Sequence, residues 1–246
     1  TLKKNLRHVC SGSCFFDRSI EMQRQYGSAL KPWVYYLALE NGLSLSTTLN
    51  NSYIEFPYAN GTKTYRPRNF SSGTTPYVSL QNAMISSYNI ATYSLLKTPG
   101  WDGELHWRDR FNQLRSLLEE VGIYEETENQ IPVVLGAQVS TLQKLVDSYT
   151  YFSNGSEIKK GYMVEGIEDY FGNTLYQHQP EVLTVPSKRS YSLRDLQEIL
   201  AKVANRGTAA RLRNFTRQLS DGRFRNLCFN GEIGSDYQTC FGGKTG

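Results

Sequence analysis

The 246-residue sequence predicts an α+β domain, and three observations carry that expectation. Apolar residues recur at helical spacing around 103–121, 140–153 and 192–203. Residues 161–185 read instead as one or two β-hairpins, with Phe171-Gly172-Asn173 turning the chain between 162–167 and 175–179. The longest apolar run, Trp33-Val34-Tyr35-Tyr36-Leu37-Ala38-Leu39, is enough for a buried helix and far too short to span a bilayer. At 39% hydrophobic and 20% charged residues, the composition fits one globular domain, or one with an appended lobe.

Residues 1–16 show no clean alternation, although 6–14 could be the end of a strand. The polar stretch 15–26 leads into a helix opened by Gly27-Ser28-Ala29-Leu30-Lys31-Pro32 and stopped at Asn41-Gly42. Residues 44–77, rich in Ser, Thr, Asn, Gly and Pro, read as a long irregular connection. A second helix is expected from Thr75-Pro76, with Leu80, Ala83 and Met84 inward. The polar break Ser86-Ser87-Tyr88-Asn89 then reads as a kink before 90–96. Phe111, Leu114, Leu118 and Val121 form one stripe of the next helix, which Gly122 ends. Ser140 with Gln143 makes a capping box for a helix whose inner face is Leu142, Leu145, Val146, Tyr149 and Phe152. Ser192 is expected to cap another, with Leu196, Ile199, Leu200 and Val203 inward and Gly207 near its end. A further helix is expected over 208–219, and strands over 227–229 and 237–241.

Net charge is +4, and the excess lies in one segment: six arginines between Arg206 and Arg225 stand against Asp221 alone. Without an accompanying nucleic-acid motif, this reads as a solvated helix face plus a loop rather than a patch for an anionic partner such as nucleic acid, lipid head groups or an acidic polymer. Cys10, Cys14, Cys228 and Cys240 do not have the usual zinc-ligand spacing. They are compatible with buried thiols or, in an oxidising compartment, with disulfides. Five N-x-S/T triplets, at Asn50, Asn60, Asn69, Asn154 and Asn214, matter only in a eukaryotic secretory host. The chain opens on Thr1 and shows no secretory signal, so it reads as an excised piece or a processed product.

Ser28 and Lys31, three residues apart, fall on one face of a first helical turn. The apolar run behind them puts both at the edge of a core, where a poorly solvated lysine gives up its proton and can activate a serine. The spacing recurs twice. Ser94 and Lys97 precede Thr98-Pro99-Gly100 and end a helix, and Ser156 and Lys159 follow Asn154-Gly155 in an exposed turn. Context therefore favours Ser28.

Three pieces stand in order: Ser28-x-x-Lys31, Ser87-x-Asn89 and Lys244-Thr245-Gly246. The set resembles the penicillin-recognising serine transpeptidases and serine β-lactamases. Arg24 through Pro32, with Tyr36 through Gly42, resembles the active-site helix of the bifunctional (class A) penicillin-binding proteins, although Tyr26 stands where that family usually has Pro. Tyr65-Arg66-Pro67-Arg68-Asn69-Phe70, Leu135-Gly136-Ala137, Tyr151-Phe152-Ser153-Asn154-Gly155 and Gly207-Thr208-Ala209 resemble its landmarks too, so the likeness covers about 15–246.

The resemblance implies an antiparallel sheet flanked by helices, with residues 1–246 forming part of one transpeptidase domain. It implies Ser28 as nucleophile, Lys31 as its base and Ser87 as proton relay. Asn89 would hold the substrate amide, and Lys244, Thr245 and Gly246 the substrate carboxylate and backbone. The implied partners are peptidoglycan stem peptides ending in D-Ala-D-Ala, β-lactams and other cell-envelope proteins, on the periplasmic or extracytoplasmic side. No cofactor, metal or nucleic acid is implied. Because that family's second oxyanion donor and several strands lie outside these residues, the stretch is expected to fold poorly alone. A β-lactamase or D,D-carboxypeptidase shares the three motifs and would need a water-activating acid, for which Glu125, Glu126 and Glu128 qualify by type. A non-catalytic remnant that only binds is the other alternative. A nucleotide-binding P-loop at Gly243-Lys244-Thr245 fails, since Gln238 stands where its first glycine belongs.

Overall fold

The computed structural model describes residues 16–58, 61–72, 75–102, 106–124, 130–210 and 244–245. In chain order these hold β1 (Gln23–Gln25), a 3-10 turn (Gly27–Leu30), α1 (Lys31–Glu40), β2 (Thr48–Asn50), β3 (Phe56–Tyr58), β4 (Lys63–Tyr65), β5 (Tyr77–Ser79), α2 (Leu80–Ile85), α3 (Asn89–Ser94), α4 (Trp107–Glu120), a 3-10 segment (Ile131–Leu135), β6 (Val139–Thr141), α5 (Leu142–Ser153), β7 (Glu157–Lys159), β8 (Gly166–Glu168), β9 (Thr174–Gln177), β10 (Val182–Thr184) and α6 (Ser190–Arg206).

Every residue of α1 is buried. Its sequence explains this: a helix that is apolar all round has no face to give to water. Pro32 sits in the first turn, where a missing N–H removes no helical bond, and Asn41 with Gly42 (φ +100°) ends the helix as the sequence predicts. Around α1 pack α2, α3, α4, α6 and the 3-10 segment 131–135. From α5, Tyr151 and Phe152 pack tilted against Trp33, with ring centroids 5.3 and 4.5 Å away.

The strands pair antiparallel as β1–β6, β2–β5, β3–β4, β7–β10 and β8–β9, each a two-stranded ladder among the described residues. Two of these ladders correct the expected irregular connection over 44–77. The β2–β5 ladder also moves the start of the second helix. Val78 stays extended opposite buried Leu49, and α2 begins at Leu80 with Ser79 Oγ accepting from Asn82 N. Leu80, Ala83 and Met84 face inward as expected, and the polar break is a kink between α2 and α3. The hairpin over 161–185 is β8–β9, its turn organised by Asp169 accepting from the N–H of Phe171 and Asn173. On α4, Phe111, Leu114, Leu118 and the capping Val121 are all buried.

Two caps differ from expectation. On α5 the cap is Thr141, whose Oγ1 accepts from Lys144 N. Ser140 pairs with Arg24 in the β1–β6 ladder, and its buried Oγ makes no hydrogen bond. The inner face turns with it. Leu142 and Val146 are exposed at 55% and 53%, and buried Ser148 instead accepts from Trp33 Nε1 at 3.3 Å. On α6 the helix begins at Ser190, and Ser192 lies inside it, buried. Tertiary anchors set that start: Ser187 Oγ and Lys188 N donate to buried Glu40, and Arg189 Nη2 donates to both carboxylate oxygens of Asp102. Outside the described residues lie the four cysteines, Glu125, Glu126, Glu128, Asn60, Asn214, residues 103–105, the arginines from 211 to 225, Gly246, and the elements expected at 6–14, 211–219, 227–229 and 237–241.

The two serine/threonine neighbours should separate cleanly in unfolding experiments. Thr141→Ala should lose about 1 kcal/mol with the cap. Ser140→Ala removes an unsatisfied hydroxyl and should be neutral or slightly stabilising.

Candidate active site

The 3-10 turn that carries Ser28 is held from both sides. Ahead of it, Gly27 N donates to Gly136 O at 3.1 Å. A Cβ on Gly136 (φ +76°) would stand 2.3 Å from Gly27 O, so only glycine lets these chains approach so closely. Behind it, Tyr149 Oη donates to Ala29 O. Ser28 is half-buried, and its carbonyl accepts from Lys31 N.

Lys31 is fully buried. Its Nζ donates to Ser87 O at 2.7 Å, to Ser87 Oγ at 3.1 Å and to Asn89 Oδ1 at 2.8 Å, which uses all three ammonium protons. Among the described residues no hydrogen bond joins Lys31 Nζ to Ser28 Oγ, and none of the ion pairs includes Lys31. Burial first, then the positive charge of Lys244, holds the Lys31 ammonium down to about 7 from its ordinary 10.5.

Ser87 occupies the kink between α2 and α3 at φ +56°, the left-handed region that a serine seldom enters. That conformation turns its carbonyl and hydroxyl toward the same ammonium. Asn89 opens α3. Besides holding Lys31, it donates from Nδ2 to Arg68 O at 2.8 Å, leaving one amide hydrogen for another partner. The Asn89 and Ile90 N–H groups both donate to Asn69 Oδ1.

Lys244 and Thr245 reach the same region from the end of the chain. Thr245 Oγ1 donates to Thr208 Oγ1 at 2.8 Å, and Lys244 Nζ donates to Thr245 O at 2.5 Å. Burial lowers Lys244 to about 8. Thr208 follows Gly207, where α6 ends hard against α2: a Cβ on Gly207 would lie 2.7 Å from Ile85 O. Thus Lys31, Ser87 and Asn89 are in direct contact, Ser28 is one turn away, Lys244 acts through its field, and Thr245 is tied in through Thr208. The other two S-x-x-K pairs stand apart. Ser94 Oγ bonds back to Ala91 O while Lys97 reaches Glu55 O, and Lys159 pairs with Glu157 at the surface. Sequence reasoning missed Asn69 and Asn51 as parts of the site, because a polar residue in a polar stretch carries no local sign of the distant partners it bonds.

A family model described as the penicillin binding protein transpeptidase domain matches residues 5–219. The chain belongs to that family. Penicillin-binding protein 1A of Rickettsia bellii is 25% identical over 215 residues, covering 79% of this chain and 26% of that protein. The Neisseria flavescens protein of the same name is 28% identical over 199 residues, covering 79% and 24%. The chain spans about a quarter of the length of these curated relatives. Penicillin-binding protein 1A from Haemophilus influenzae superposes over 82% of this chain and 34% of its own with a TM-score of 0.68 at 21% identity. Penicillin-binding protein A of M. tuberculosis, solved as an imipenem acyl-enzyme complex, does so over 82% and 49% with a TM-score of 0.60 at 18% identity. This is the penicillin-binding transpeptidase fold. Among its described residues no helix is long and apolar enough to cross a membrane.

The lowered Lys31 pKa makes a stability prediction. The native state resists protonating Lys31 below 10.5, whereas the unfolded chain does not. The penalty is therefore absent above pH 10.5, grows as pH falls, and is complete below about 7. Between those limits the stability difference between wild type and Lys31→Met should move toward the variant by roughly 3–5 kcal/mol, measured by denaturant unfolding across pH.

Proposed function

We propose that this transpeptidase-family chain is the acyl-transfer part of a peptidoglycan D,D-transpeptidase. The observation that carries this is a fully buried lysine, drawn down to about 7, whose hydrogen bonds go to a serine hydroxyl and an asparagine amide one turn from Ser28. A buried lysine without a carboxylate partner is suited to accepting a proton near neutral pH.

In this reading the neutral Lys31 amine takes the Ser28 proton as Oγ attacks the carbonyl before a terminal D-alanine. The C–N bond breaks, and the proton travels from Lys31 through Ser87 Oγ to the departing amine, leaving a Ser28 ester. Ser87 fits a relay because its hydroxyl, 3.1 Å from Nζ, accepts from the ammonium and can donate to the amine. The second stem peptide's amine then attacks the ester, its proton returns to Ser28 Oγ, and a cross-link forms. Asn89 offers its remaining amide hydrogen to the substrate backbone. Lys244 and Thr245 take the terminal carboxylate, which requires Lys244 to stay charged, and Gly246 lets the substrate backbone lie close. A β-lactam would open on Ser28 in the same way, but its amine leaving group stays tethered, so the ester persists. The working place is the extracytoplasmic cell envelope, residues 1–246 form part of a single domain, and β-lactams and other envelope proteins are the partners beyond the stem peptides.

Labelling with a fluorescent penicillin, followed by mass spectrometry of the adduct, tests this. The label is expected on Ser28 and should be lost in Ser28→Ala. Acylation should rise with pH near 7 as Lys31 loses its proton and fall near 8 as Lys244 loses its charge. A folded chain that takes no label, or takes it elsewhere, would overturn the reading.

A further inference from the structure

We infer that Asn69 is a positioning residue whose neutral amide fixes Asn89 against Lys31 without bringing a negative charge to the lysine. The inference rests on the acyl-transfer reading and extends it to the residues that set the state of its base.

Asn69 stands between β4 and β5, yet it acts at the start of α3. Its Oδ1 accepts from Asn89 N at 2.8 Å and Ile90 N at 3.1 Å. The preceding carbonyl, Arg68 O, accepts from Asn89 Nδ2 at 2.8 Å. Two consecutive loop residues thus fix both the backbone and the side-chain amide of Asn89, and its Oδ1 is left on Lys31 Nζ at 2.8 Å. Asn69 is fixed in turn. Its Nδ2 donates to Asn51 Oδ1 at 2.9 Å. Buried Asn51 is tied through Nδ2 to Thr75 O at 3.0 Å and through its N–H to Pro76 O at 2.7 Å. Three amides in series, Asn51, Asn69 and Asn89, end at the ammonium.

Two backbone N–H groups converging on one oxygen would suit aspartate at least as well, since a carboxylate accepts such bonds more strongly. Local geometry therefore does not select the amide. The lysine does. A carboxylate at Asn69 would stand two hydrogen bonds from Lys31 in a poorly solvated place, and a nearby opposite charge favours the ammonium. The charges around Lys31 are otherwise positive, paired or distant. Lys244 acts on it, while on the loop Arg66 is paired with Glu55 at the surface and Arg68 precedes Asn69. The α2–α3 kink carries Tyr88, α3 carries Tyr93, whose phenol burial holds above its ordinary range, and the 3-10 segment 131–135 carries no ionisable side chain. On α1, Glu40 is nine residues away and engaged with Ser187 and Lys188, and on α4 Asp109 and Glu120 line a cavity at that same far end of α1 while Glu119 pairs with Arg115. On α5, Asp147 bonds Gln143 and Gly161. On α6, Glu198 is closed on Lys202 and Asp195 is a turn earlier.

The test measures penicillin acylation of the full chain against pH, alongside an NMR titration of the Lys31 side chain assigned with Lys31→Met. Asn69→Asp should move the Lys31 titration and the rising limb of acylation upward by about one pH unit, roughly a tenfold loss of rate at pH 6. Asn69→Ser keeps a neutral acceptor, so it should slow acylation while leaving the titration in place. If Asn69→Asp does not fold, Asn51→Asp, one hydrogen bond farther out, should give a smaller upward move. A folded Asn69→Asp, or failing it Asn51→Asp, that titrates as wild type overturns the inference. Wild type left unlabelled on Ser28, with Lys31 still responding to Asn69→Asp, would overturn the acyl-transfer reading instead.

Discussion

A lysine carried into a protein interior without a carboxylate must be held by neutral dipoles or lose its proton, and the surroundings of Lys31 answer both demands. Its three acceptors are a carbonyl, a hydroxyl and an amide oxygen, two of them from one serine held in a left-handed conformation. The α2–α3 kink is therefore shaped around the ammonium rather than merely joining two helices. The polar residues that interrupt the apolar pattern there are the ones that meet the lysine.

The apolar side of α1 supplies the free energy that offsets this burial. Trp33, Tyr36, Tyr151 and Phe152 form one aromatic cluster, with Trp33 tilted against Phe152 and edge-on to Tyr36. Each such ring buries about 150–250 Å², worth about 4–6 kcal/mol at about 25 cal/mol/Å². A few rings thus outweigh the several kcal/mol that desolvating one lysine opposes to folding. Placing Lys31 at the first turn of α1 lets the helix bury completely behind it. Two close backbone approaches complete the arrangement: Gly136 against Gly27 fixes the turn of Ser28, and Gly207 against Ile85 brings Thr208 and the Lys244 stretch to the kink.

Much of this was legible in the sequence, and the exceptions share a cause. The buried helix, its Asn41-Gly42 stop, the α4 stripe and the inward face of α6 follow from hydrophobic periodicity, which records burial directly. The inner face of α5 does not. Leu142 and Val146 have the right spacing, but the partner is Trp33, whose indole N–H needs an acceptor, and Ser148 supplies it. The same holds for the α6 start, set by Glu40 and Asp102 rather than by the local serine, and for Thr141 displacing Ser140, which the β1–β6 ladder has already claimed. In each case a contact distant in sequence outbid a sound local rule. At the site, the spacing of Ser28 and Lys31 and of Ser87 and Asn89 drew attention to residues that do converge. The asparagines behind them were silent, because their role exists only through hydrogen bonds made across some twenty positions.

Lys31 and Lys244 set the two halves of the site against each other. The proposed acyl transfer asks one lysine to be neutral and the other to be charged at the same pH. Desolvation lowers both, so it cannot separate them by sign, only by degree. Lys31 is fully buried and also lies in the field of Lys244, while Lys244 is half-buried and lowered by burial alone, which leaves the two near 7 and 8. The interval between them is the range in which both requirements are met together. An anion near either lysine would raise its pKa. At Lys244 that is what a bound carboxylate would do, strengthening the charge that binds it. At Lys31 it would remove the proposed base. The neutrality of the Asn51–Asn69–Asn89 series and the openness of Lys244 to an anion are therefore two sides of one electrostatic requirement.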